Sequence, residues 1–176
     1  MRKFSAGYSV LPKVRFDTVG CSTDPVVVRQ KIVDGKLYFY AVNREYYPVN
    51  VSITLSGNTN VNDLVSGQMV KSASEVKFVL GAYEIRSFTA DDSMTVLQFS
   101  ACAPDEICNA ILCDAHTALC NIAQVRKMKK YIPGMDELAD GLGKAIISKR
   151  LSWIRRAVGG YVVSKCREIA ASELNT

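Results

Sequence analysis

His116 is the only histidine among the 176 residues, which removes most acid–base schemes built on imidazole. Cys113, His116 and Cys120 stand at i, i+3 and i+7, so a helix would carry all three on one face, and zinc takes thiolate and imidazole ligands. Structural zinc sites usually draw ligands from two elements at short loop spacings, however, and no paired C-x-x-C is present. The favoured reading is a polar or core-edge histidine beside buried free thiols, with Cys113, His116 and Cys120 kept as a secondary zinc candidate. A cysteine nucleophile served by His116 ranks lower, because such pairs converge from separate elements. No cofactor is expected.

Carboxylates give no better start. Glycosidic hydrolysis needs two acids facing each other across a cleft, and no pair here is placed for it. Asp34 belongs to a turn, Asp91-Asp92 sit at a junction, and Asp136-Glu137 are charges at the start of a helix. Gly141-x-Gly143-Lys144 mimics a phosphate loop, but it lies inside a helical pattern, where glycine permits close packing or a bend. Tyr46 and Tyr47 lie on a turn and could stack on a sugar ring; being adjacent, at most one of them is free to do so. Packing against a neighbouring domain is the favoured reading of that pair, and no catalytic residue is assigned anywhere in the chain.

Composition is that of a globular chain: 48% hydrophobic, 22% charged, with a mean hydropathy of +0.06. The net charge of +5 comes from 22 basic and 17 acidic residues spread over both halves, not the dense basic footprint of a nucleic-acid binder. Arg126, Lys127, Lys129 and Lys130 suit the negative end of a helix. No run approaches the roughly 20 apolar residues that cross a bilayer, so a soluble chain is expected, with no membrane and no nucleic acid among its partners and its compartment open.

The elements that would position these residues fall into two halves. From Tyr8 to about Phe88 short alternating runs are separated by turn residues, a strand pattern. Asp34-Gly35 supplies a type I′ hairpin turn. Lys36–Asn43 is apolar on both faces, which implies a cover on its second side. Val49, Val51, Ile53 and Leu55 alternate with polar residues, Gly57-Asn58 then punctuates, and Ser66-Gly67 makes a further hairpin turn. Two short runs follow, Gln68–Lys71 and Val76–Leu80, then Tyr83–Phe88, while Met94–Ser100 is ambiguous. From Ala103 the period becomes helical, with one helix ending near Tyr131, a second from Asp136 through Ile154, a break at Gly159-Gly160 and a third stretch to Leu174. The fold expected is mainly β: an antiparallel Ig-like β-sandwich over residues 1–100, then an α-helical hairpin or small bundle over 101–176.

Residues 25–90 also carry a resemblance. Pro25-Val-Val-Val-Arg29, Leu37–Asn43, Pro48–Val51, Asn62-Asp-Leu-Val-Ser-Gly67 and Leu80–Phe88 follow the order of strand motifs in the C-terminal β-sandwich of glycoside hydrolases with a catalytic (β/α)8 barrel. The sequence departs from that pattern at Gly81, where proline is common, and in its helical tail. The resemblance implies an accessory domain that packs against a barrel of the same parent polypeptide and is not itself an enzyme, the acids lying on barrel strands. Carbohydrate is a further expected partner, in the alternative that surface aromatics make this a carbohydrate-binding module.

Overall fold

The computed structural model describes residues 2–20 and 24–173, and the chain divides after Pro104 into a β unit and a helical unit. The β unit opens on a helix, α1 (Arg2–Ser9), followed by β1 (Asp17–Thr18), β2 (Val26–Val33), β3 (Lys36–Asn43), β4 (Val49–Asp63), β5 (Met69–Leu80), β6 (Ile85–Asp91) and β7 (Val96–Cys102). All pairings are antiparallel, in the order β1-β2-β3-β6-β4-β5 with β7 also on β4. The fold is therefore mainly β with a helical C-terminal part, as the patterning predicts. Asp34 and Gly35 both take left-handed φ values, 48° and 70°, as a type I′ turn requires.

One strand makes this sheet a sandwich. Residues 50–54 of β4 lie between β5 and β7, whereas Asn62 and Asp63 lie between β6 and the start of β5. The strand thus passes from one layer to the other, and its ladder with β5 shifts register between Thr54 and Thr59 and again between Thr59 and Val61. Irregularities of this kind let a strand turn a sandwich corner. The break expected at Gly57-Asn58 is this corner, and β4 continues through it. The two runs expected at 68–71 and 76–80 are likewise one strand, β5, with Ser72 taking up the kink at φ 47°.

Between the layers lie Val26, Val28, Leu37 and Phe39 from one side and Val51, Ile53, Val76 and Leu80 from the other, all buried. Phe88 on β6 meets both Phe39 and Phe78, with ring centroids 5.1 Å apart in each case, so aromatic contacts join the layers. Along the open side, the Gln30 amide replaces a backbone ladder: it donates to the Val96 carbonyl at 3.2 Å and accepts from the Val96 N–H at 2.7 Å.

The first residues correct the expectation of strands from Tyr8 onward. They form α1, which lies on the outer face of β6 so closely that a Cβ on Gly7 would stand 2.6 Å from Ile85. The Ser87 hydroxyl donates to the Gly7 carbonyl at 2.6 Å, and Leu11 and Phe16 pack on Ile85, Tyr38, Tyr40 and Val42. The second apolar face of β3 is covered in part by the chain itself.

The helical unit contains α2 (Asp105–Lys127), α3 (Met135–Ile147), α4 (Leu151–Val158) and α5 (Tyr161–Glu173). Ile122 and Val125 of α2, Ile132, Met135 and Cys166 form a buried cluster with Leu138, Val162 and Ile169 against it. The second helix expected from the sequence is two, because the chain turns at 148–150, with Lys149 at φ 50°. The break at Gly159-Gly160 is present, and Leu174 lies outside the described residues. Gly141 sits in α3, where a Cβ would come within 2.7 Å of the Trp153 ring, so this glycine serves close packing and not phosphate.

Candidate functional site

Three segments meet at the end of the sandwich where β3 stops. Asn43, the last residue of β3, is fully buried, and its side-chain amide donates to the carbonyls of Tyr47 at 2.6 Å and Gly81 at 2.9 Å. Its Oδ1 accepts the Glu45 N–H at 2.9 Å. One side chain therefore shapes the 44–48 bend and fastens it to the β5–β6 turn. That turn is closed by the Glu84 N–H donating to the Gly81 carbonyl, and the Glu84 carboxylate accepts the Gly81 N–H at 2.7 Å. Proline at position 81 could not make the last bond, which gives glycine at this position a physical basis.

The two loops hold aromatic residues at the surface. Tyr46 is half exposed, and Tyr83 is 55% exposed with φ 51°. A bulky residue in left-handed backbone carries a conformational cost and persists only where its surroundings impose it. The Tyr83 N–H is fixed by the Glu45 carbonyl at 3.0 Å, beside Tyr46. Tyr47 points the other way: it is 1% exposed and packs edge-to-face on Tyr46 at 5.1 Å. Burial withdraws Tyr47 from any sugar arriving from solvent, so of the two expected tyrosines only Tyr46 is presented. Tyr83 escaped sequence reasoning because it reads as a strand residue; the signal available was a large aromatic directly after Gly81-Ala82.

A second polar cluster lies where β4 joins β6. Asp63 accepts the N–H groups of Val65 and Ser66 at 2.9 Å each and forms an ion pair with Arg86, whose guanidinium also lies over Phe78 and Phe88. Burial works against the Asp63 carboxylate, but the Ser66 N–H, Arg86 and the Val65 N–H outweigh it and hold its pKa below the ordinary value. The arrangement is a brace with every acceptor position engaged.

The zinc candidate fares differently from its expected setting. Ile111, Ala115, Ala118, Ile122 and Val125 form the buried stripe of α2, while Cys113, His116 and Cys120 are exposed. No group of three metal-ligating side chains comes together among the described residues. The expectation of buried thiols also needs correction: Cys102, Cys113 and Cys120 are exposed, Cys108 is intermediate, and Cys21 lies outside the described residues. Cys166 alone of the described cysteines is buried, and burial raises its thiol pKa. Arg126 of the basic cluster is paired with Asp136, and no described helix is long and apolar enough to cross a membrane.

No family model matches the chain, and no curated protein matches it. Among solved structures it is weakly similar to glycoside hydrolases. A candidate α-N-acetylgalactosaminidase from Bacillus halodurans is 11% identical over 44% of this chain and 21% of that one, with a TM-score of 0.37. A glycoside hydrolase family 30 subfamily 8 xylanase from Clostridium acetobutylicum is 21% identical over 43% and 24% of the two chains, with a TM-score of 0.30. A family 30 endoxylanase from Clostridium papyrosolvens is 16% identical over 42% and 22%, also at 0.30. The chain spans less than a quarter of the length of each of these proteins.

Proposed function

We propose that the β unit is a non-catalytic accessory module of a glycoside hydrolase and that its Tyr46–Tyr83 end packs against a catalytic (β/α)8 barrel of the parent polypeptide. The observation that carries the reading is Tyr83, a large aromatic held outward in left-handed backbone by a turn fastened to the Asn43 loop. Backbone cost at an exposed aromatic is the mark of a contact residue. The strand motifs of residues 25–90 support the choice of partner, and Asp63 and Glu84 act as braces for turns. Catalysis in this reading belongs to acids at the ends of barrel strands.

The test starts from the reading frame upstream of Met1, where about 250 residues of alternating strands and helices would encode the barrel. Expressed as separate polypeptides, barrel and chain are expected to co-purify one to one, and Tyr46→Ala with Tyr83→Ala to weaken the pair about tenfold or more. Glycoside hydrolysis by the purified chain alone, abolished by changing one of its own carboxylates, overturns the reading. A second reading draws on the same exposed rings: Tyr46 and Tyr83 stack on a sugar and the unit is a carbohydrate-binding module. Saturable binding of a neutral oligosaccharide, lost in Tyr46→Ala, would favour it.

A further inference from the structure

The outer face of β2 and β3, beside the end of α1, carries a cleft of about 590 Å³, inside the range of small-ligand sites. Phe16 and Tyr40 form its floor, edge-to-face at 5.2 Å, and Arg29 stands directly across the β2–β3 ladder from Tyr40. Tyr8, Lys13 and Arg15 complete the rim. Three cations thus surround one concavity, and no carboxylate lines it. Among the described residues Lys13, Arg15 and Arg29 form no ion pair; the nearby Asp17 is engaged by Lys31 at 3.0 Å. Like charges gathered round a low-dielectric floor repel one another and concentrate anions at the mouth. Arginine forks match a carboxylate or sulfate, while the exposed Tyr8 ring and the half-buried Tyr40 ring offer faces to the C–H side of a sugar.

We infer that this cleft binds an acidic saccharide, a sugar ring bearing a carboxylate or sulfate, held by Lys13, Arg15 and Arg29 and stacked on Tyr8 or Tyr40. The choice of a saccharide among anions rests on the glycoside hydrolase reading above; the cationic cleft itself does not. A single cleft of this size also suits a short oligosaccharide better than the extended groove that single-stranded nucleic acid occupies.

The experiment is calorimetric titration of the purified chain with an oligogalacturonide trimer, its uncharged methyl ester, tripolyphosphate and a single-stranded oligonucleotide. The expected result is one-site binding of the acidic trimer, lost in the ester, falling with salt, and weakened about tenfold or more by Arg29→Gln or Lys13→Gln. Both side chains are exposed, so thermal melts of the two variants are expected to match the parent. Equal binding of acid and ester, binding unchanged in both variants, binding of only tripolyphosphate or the oligonucleotide, or no binding at all would each overturn the inference. Tyr83→Ala, the variant aimed at barrel docking, is expected to leave trimer binding intact. A barrel that fails to associate then leaves this site standing, and a trimer that fails to bind leaves the docking standing.

Discussion

On the outer side of β3 and β6 the sandwich presents Tyr38, Tyr40, Val42 and Ile85, whereas on the outer side of β4, β5 and β7 it presents Asn50, Ser52, Glu75, Lys77 and Ser100. The first set is half-buried or buried beneath α1, Leu11 and Phe16. The second lies open to water, with the Ser52 hydroxyl and Lys77 holding the Glu75 carboxyl below its ordinary pKa. Inner faces share one core and read alike; the outer faces teach more, because a sheet face rich in aromatics must find a cover and a face of serine and lysine need not. Here the cover comes from the first residues of the same chain, and the cleft it leaves is basic.

Four perturbations would sharpen or break that contrast. Phe16→Ala is expected to cost the most, about 3 kcal/mol, because it opens a void between the N-terminal segment and Tyr40. Urea unfolding measures it, and a loss under about 1 kcal/mol would mean that the segment merely lies on the sheet. Gly7→Val is expected to cost about 2 kcal/mol by driving α1 off Ile85 and breaking the Ser87 hydroxyl's bond to the residue 7 carbonyl, again read by urea unfolding.

Next comes Asp63, which fixes β4 as it leaves the polar layer for the covered one. Its pKa is lowered in the folded state, so its contribution is complete above the ordinary carboxylate value and disappears as pH falls through the lower folded value. Unfolding midpoints measured from pH 6 down to 2 should therefore drop more steeply in the parent than in Asp63→Asn. On the wet face, Ser52→Ala should leave the midpoint unchanged within error, since exposed pairs of this kind contribute little. A large loss there would erase the distinction between the faces.

Much of the β unit was legible in the sequence. Strict alternation at 49–55 marked β4, Asp34-Gly35 marked the β2–β3 hairpin, and the double-sided apolar run at 36–43 marked a strand needing two covers. The corner in β4 was not legible, because Gly57-Asn58 signals a turn and a strand bend equally well and only the partner strands decide. Helix α1 was hidden for another reason: its value lies in the close approach of Gly7 to Ile85, a contact spanning 78 positions that no local period reveals. Lys149 conceals the α3–α4 break in the same way, since nothing in a lysine announces left-handed backbone. At the candidate site, Tyr46 could be singled out from the sequence, whereas Tyr83 and the burial of Tyr47 depend on how Asn43 ties two distant turns together. The cationic cleft draws on residues 8 to 40 across a helix, a loop and two strands, and no spacing rule joins them.

The most direct test of the account is sedimentation of this chain mixed with the (β/α)8 barrel that the proposal places in the same parent polypeptide. A one-to-one complex, loosened by Tyr46→Ala with Tyr83→Ala and leaving hydrolysis entirely with the barrel, is the result predicted. Two species that sediment independently, or glycosidase activity that resides in this chain by itself, would contradict it.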